Sequence, residues 1–402
     1  MAIKNKYIDN LKKEDFSFYG YPIKFALKDY ENVLDKIKNK ARKTKEILSI
    51  YHFGEVKAPG ISDIDLIFVL KENCKLPALL KKHYIDNDSK YLIFHPFLIF
   101  TENIMENIKY IYPNSKYIRI YGKEISLYEP SKSELKKIKT YLIIDTVLRH
   151  FPVDHLYVLL SKRVNIRMIL LRFNALKYTL NMFKDISGKE KSSWNNFSKN
   201  VDYIRKNWFN LNKDLREHKL LDLIKEAAYI STDLLKEVDI FLSKNKHNIV
   251  DVRQNNILFR GNKNRISFVK DWDAEKSMNQ LINHFLLYKN FYSILPISLL
   301  KHLCCYSSLD GRLSRYIRKR LNVRCVQNNI EPALRKRIQN LNAQVEYANE
   351  LKHSHYPCFF PLGYKTEKGF KNKLMLLFVI VTSSSFFRRI LFYYRGILGK
   401  HS

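Results

Sequence analysis

No Cys-x-x-Cys pair occurs in the 402 residues, and the five cysteines (Cys74, Cys304, Cys305, Cys325 and Cys358) are an odd number. This argues against a secreted disulfide framework, so a reducing cytoplasm is expected. The opening Met1-Ala2-Ile3-Lys4-Asn5-Lys6 leads into charged sequence and not into an apolar stretch, so no signal peptide is expected. P-loop, Rossmann and Gly-x-Ser-x-Gly signatures are missing, which removes the commonest signs of a glycine-cradled phosphate or a serine nucleophile. There is no internal repeat and no long low-complexity linker. Acidic residues are also scarce: 39 Asp and Glu stand against 71 Lys and Arg, a formal charge of +32.

That imbalance favours polyanionic partners such as RNA, DNA, nucleotides or an anionic membrane face. The same excess of lysine also follows from an AT-rich coding bias, so charge alone names no partner. Hydrophobic content of 46%, with 13% aromatic residues, excludes a largely disordered chain. The length predicts two or three domains.

Ile23, Leu27, Tyr30, Leu34 and Ile37 recur at helical spacing, and Pro22 suits a first turn, so residues 22–45 read as an amphipathic helix. Ile47 to Phe53 reads as a buried strand ending at Gly54. Asp63 to Leu70 is a second strand, Tyr91 to Phe100 a third and Tyr117 to Tyr121 a fourth, with a helix from Leu76 to Tyr84. From Ser131 onward the pattern is helical, with stripes through Met168–Met182 and Leu223–Phe241 and a connection over Ser187–Ser198. Ile257–Phe259 and Ile266–Val269 form a hairpin, and helical patterns resume from Ala274 to about Leu351. The fold class is α+β: a mixed sheet with flanking helices, followed by a mainly α-helical C-terminal region. The expected division is 1–130, 131–245, 246–365 and a tail over 366–402.

Chemistry concentrates at Gly60-Ile61-Ser62-Asp63-Ile64-Asp65-Leu66. Two acids separated by one residue on a strand share a face. Ionised carboxylates are pure acceptors, and a converging pair suits Mg²⁺, which prefers oxygen ligands and keeps substrate phosphates in its shell. Asp63 and Asp65 are therefore the candidate metal ligands. Gly54 permits close backbone approach to a phosphate, Ser62 offers a hydroxyl and Lys57 a cation.

This stretch resembles the nucleotidyltransferase superfamily of the DNA polymerase beta type, small bacterial members included. Their pattern is a strand ending in Gly-Ser, a short loop, then an acid-x-acid pair opening an apolar strand. Ser62-Asp63-Ile64-Asp65-Leu66-Ile67-Phe68-Val69 matches the second half, and Ile118–Ile125 resembles the later strand and turn. The likeness covers ~80 residues near the N-terminus and implies a nucleotidyltransferase-type sheet there. It also implies an enzyme in which two Mg²⁺ ions held by the carboxylates clamp an NTP, whose nucleoside monophosphate passes to a hydroxyl acceptor with pyrophosphate leaving.

Two departures stand out. The family's Gly-Ser reads Gly54-Glu55 here, and a carboxylate facing a triphosphate repels it unless a metal intervenes. The family's third acid lies on the strand after the intervening helix, but Tyr91–Phe100 contains none. His95 takes the polar position, either as a general base or as a hydrogen-bonded structural histidine; Glu102 follows. Without the third acid, a catalytically degraded member remains the alternative: a basic membrane-peripheral or nucleic-acid-binding module. The acceptor class is open among RNA, a small molecule, a lipid-linked sugar and a protein.

Other features have two readings each. Arg163, Arg167 and Arg172 form either a solvated face or a clamp for triphosphate or acceptor. Asp271-Trp272-Asp273 is a solvated turn or a second source of acid. His353, His355 and Cys358 have metal-ligand types without zinc spacing. The uncharged run Leu374–Phe387, at fourteen residues, is too short to span a bilayer of ~30 Å. Flanked by cations over residues 371–400, it reads as an interfacial segment on an anionic membrane surface or as a docked terminal helix. The expected location is cytoplasmic, or peripheral at the inner membrane face.

Overall fold

The computed structural model describes residues 5–81, 86–95, 97–150, 153–244, 256–260, 265–289, 292–321 and 330–351. His353, His355, Cys358 and the tail over 366–402 lie outside the described residues. The strands are β1 (Ser17–Tyr19), β2 (Ile47–Phe53), β3 (Asp65–Leu70), β4 (Leu98–Thr101), β5 (Tyr117–Gly122), β6 (Arg163–Asn165), β7 (Asn256–Arg260), β8 (Arg265–Val269) and β9 (Tyr292–Pro296). The class is α+β, as expected from the sequence.

The sheet that carries the acid pair has the order β4-β3-β2-β5. β2 runs antiparallel to both neighbours, and β3 pairs with β4 in parallel. Both faces are covered, which explains why β2 and β3 are apolar runs and not alternating ones. On one face the helix Leu27–Ala41 inserts Tyr30, Val33 and Ile37 among Ile50, Ile64, Leu66 and Phe68. On the other, Tyr51, Ile67, Val69, Leu98 and Phe100 join the large core that continues through the helical region. The helix Pro332–Glu350 packs on β4 and on the helix Lys132–His150.

Three helices of that region converge on one buried charge. Asp145 accepts from Arg337 Nε at 3.0 Å and Nη2 at 2.6 Å, from Tyr306 Oη at 2.8 Å, and meets His302 Nε2 at 2.9 Å. Arg337 Nη1 also donates to the carbonyls of Tyr110 and Ile111, at 2.6 and 2.9 Å. The network thus ties the helical region to the segment between β4 and β5 as well.

Several elements depart from the sequence pattern. The first long helix begins at Leu27, leaving Ile23 exposed in the irregular segment before it. The expected third strand is split: Asn87–Leu92 is helical and only Leu98–Thr101 is extended. The cause is local. Asp86 accepts from Ser89 N and Ser89 Oγ accepts from Asp86 N, each at 2.8 Å, a reciprocal cap that starts a helix. The Ser187–Ser198 connection contracts to residues 188–191 between the helices Ile166–Ser187 and Ser192–Asn207. β9, parallel to β8, interrupts the helical run after Ala274. Cys74 is a free thiol, and Cys304 is disulfide-bonded. No helix among the described residues is long and apolar enough to cross a membrane.

Candidate active site

Asp65 is the first residue of β3, and Asp63 lies just ahead of it in the turn leading into the strand. The backbone there is fixed from several sides. Gly60 has φ +83°, and a Cβ at this position would lie 2.3 Å from the Ile23 carbonyl. Tyr30, pushed up to about 12 chiefly by burial, accepts from Gly60 N at 2.9 Å and donates to the Ser62 carbonyl at 2.7 Å. Tyr91 donates to the Gly60 carbonyl at 2.7 Å. Gly60→Ala should therefore cost about 2 kcal/mol through strain and clash, read as a lower urea midpoint. An unchanged midpoint would mean that the loop relaxes freely.

Two arginines from the helical region complete the support. Arg167 is buried, with its guanidinium 3.8 Å from the Tyr91 ring centre. It donates to the carbonyls of Ile61 at 3.3 Å, Ser62 at 3.4 Å and Tyr91 at 2.5 Å. Arg205, also buried, donates to the Leu170 carbonyl at 2.8 Å and to Ser62 Oγ at 3.2 Å. Ala58 N donates to that same hydroxyl at 3.2 Å. The Ser62 side chain is thus engaged within the protein, holding the loop that leads to Asp63.

The two acids differ in their surroundings. Asp63 Oδ2 is buried and accepts no hydrogen bond, and His95 Nε2 stands 3.5 Å from it. The Asp65 carboxyl is raised well above the ordinary carboxylate range, first by burial and then by the neighbouring charge of Asp63. Two crowded carboxylates with an orphaned oxygen are a donor set suited to a hard cation. Among the described residues no group of three or more His, Cys, Asp or Glu is placed to hold a metal. Water and substrate oxygens would have to fill the remaining positions, as Mg²⁺ commonly permits.

The remaining sequence candidates sort by geometry. Gly54, with φ +89°, has no atom within 4 Å of where a Cβ would stand, so its surroundings are open. Glu55 is held by Lys116 at 2.8 Å and Lys57 at 3.0 Å, which bring its carboxyl down to about 2. Lys57 thus neutralises Glu55 at the loop. His95 follows the short helix and is half exposed beside Asp63, with Phe94 edge-on to its ring. Glu102 pairs with Lys123 at 2.6 Å. It follows Thr101, whose partner Leu70 is at the far end of β3, about 16 Å of strand from Asp65.

By alternation, the residues of β4 on the Asp65 face are Leu98 and Phe100, paired with Ile67 and Val69. Both are apolar. Of the arginine trio, only Arg167 reaches the acid loop: Arg163, on β6, lies over Tyr19 of β1, and Arg172 faces Asp154 at 3.8 Å. Asp273 caps the helix Ala274–Tyr288, accepting from Lys276 N at 2.6 Å. With Asp271 it lines a separate groove of about 450 Å³ between that helix and β8–β9.

Comparison adds no relative. No family model, curated protein or solved structure matches this chain. Arg205 was the participant the sequence pattern missed. It shares the apolar face of its helix with Phe197, Val201 and Ile204, and a cation on such a face is the signal that could have found it.

Proposed function

We propose that Asp63 and Asp65 hold a divalent cation, best met by Mg²⁺, and that the protein transfers a nucleoside monophosphate from an NTP to a hydroxyl acceptor. The observation that carries this is the orphaned, buried Asp63 Oδ2 beside the crowded Asp65 carboxyl. Mg²⁺ held by Asp63 and Asp65 would supply positive charge to the polyphosphate. The chain's own part is positioning. Arg167, Arg205, Tyr30 and Tyr91 hold the loop before Asp63, and open space at Gly54 leaves room for phosphate oxygens. In the reaction the acceptor oxygen bonds to the α-phosphorus, the bond to the β-phosphate bridge breaks, and pyrophosphate departs. His95, close to Asp63, is the side chain best placed to take the hydroxyl proton.

The test is binding of a fluorescent NTP analogue with Mg²⁺ and with EDTA, in wild type and in the Asp63→Asn, Asp65→Asn double variant. Binding is expected only with Mg²⁺ and only in wild type. Undiminished binding by the double variant removes the site.

A second reading has a specific observation in its favour. Leu98 and Phe100 occupy the β4 positions on the Asp65 face, where no carboxylate is available. On this reading the protein is a non-catalytic, basic scaffold for a nucleic acid or an anionic membrane. Salt-sensitive binding to RNA or anionic vesicles, with no NTP turnover, is its signature. Vesicle binding that survives deletion of residues 370–402 would remove the tail as the anchor.

A further inference from the structure

Arg167 and Arg205 are the least explained charges near the site. Both guanidinium groups are buried, and neither forms an ion pair with a carboxylate among the described residues. Their hydrogen bonds go to carbonyls, the Ser62 hydroxyl and, for Arg167, an aromatic face as well. Buried charge without a counter-charge is costly, and proteins retain it where an opposite charge is held nearby. Both arginines reach Ser62, the residue before Asp63, and Asp63 acts on each of them through space, as Asp202, itself paired with Lys177, does on Arg205.

We propose that Arg167 and Arg205 are fixed counter-cations delivered by the helical region, so that the Asp63–Asp65 centre takes one divalent ion and not two. This rests on the divalent-ion reading of Asp63 and Asp65. Two ions require enough carboxylate to hold both, with at least one group bridging them. Here the Asp65 face of β4 offers Leu98 and Phe100, and Glu102 lies at the far end of the sheet bound to Lys123. Two carboxylates and two guanidinium groups already balance. One divalent ion then leaves a net charge of two to meet a polyphosphate, while a second ion would add charge with no further acid to hold it. The arginines act on the ion through its ligands and the loop, so they are positioning residues.

The experiment is a titration of full-length protein with Mn²⁺ alone, followed by electron paramagnetic resonance and calorimetry, in wild type, Arg205→Met and Arg205→Lys. Wild type is expected to bind one tight Mn²⁺ per chain, which is lost in the Asp63→Asn, Asp65→Asn variant. Removing a nearby cation should tighten Mn²⁺ about tenfold in Arg205→Met, with the affinity restored toward wild type in Arg205→Lys. A purely structural arginine would leave affinity unchanged or weaken it, the opposite sign. Two tight ions in wild type overturn the proposal whether or not the variants fold, as does unchanged or weaker affinity in folded Arg205→Met. No bound Mn²⁺ in wild type would instead overturn the metal reading itself, and this proposal with it.

Discussion

Replacing Arg337 with methionine is expected to destabilise the protein by about 3–5 kcal/mol, because it strands the carboxylate of Asp145 in the core. Both side chains are almost wholly inaccessible to solvent, at 0% and 1% exposure. Arg337 also satisfies the carbonyls of Tyr110 and Ile111, so its loss leaves three buried acceptors short of donors. Chemical denaturation followed by tryptophan fluorescence reads the effect. Asp145→Leu combined with Arg337→Met should cost much less than the sum of the single changes, since no unpaired charge remains. Additive costs would show that the two residues act independently.

The same network sets an acid limit. Burial alone would raise the Asp145 carboxyl, but Arg337 and His302 outweigh it and hold the group below its ordinary value. A carboxyl lowered by folding contributes stability above its unfolded pKa, near 3.9, and that contribution disappears as pH falls through the lowered folded value. Wild type should therefore keep this contribution down to about pH 4 and lose it below. Asp145→Asn should show a flatter dependence of stability on pH in that range. An identical acid profile in the variant would assign acid unfolding to other carboxylates.

The second large effect concerns function. Asp63→Asn with Asp65→Asn should reduce any NTP-dependent transfer by at least about a thousandfold, a size reached when a metal and its charge stabilisation are lost. Undiminished transfer by the folded double variant would remove the pair from the reaction.

Much of this was legible in the sequence, for physical reasons that differ by element. β2 and β3 were readable as apolar runs, β5 as a short strand ending at Gly122, and β7 and β8 as two apolar segments separated by a polar stretch. Asp63 and Asp65 stood out because acids seldom open so apolar a strand. The three-residue strands β1 and β6 carry no periodicity, being too short to show any. The helix Asn87–Leu92 was hidden by the apolar residues after it, although Asp86 and Ser89 held its capping signal. Arg167, Arg205 and Arg337 are long cations on apolar helix faces. Local pattern assigns such residues to solvent, because the carbonyls and carboxylates awaiting them come from distant parts of the chain.

One measurement addresses the central claim most directly: a structure determined with Mg²⁺ and a non-hydrolysable NTP. The expected result is a cation bound by Asp63 Oδ2 and the Asp65 carboxylate, with the triphosphate beside Gly54 and His95 within reach of the acceptor side. A nucleotide bound elsewhere, or no cation on that pair at saturating Mg²⁺, would contradict it.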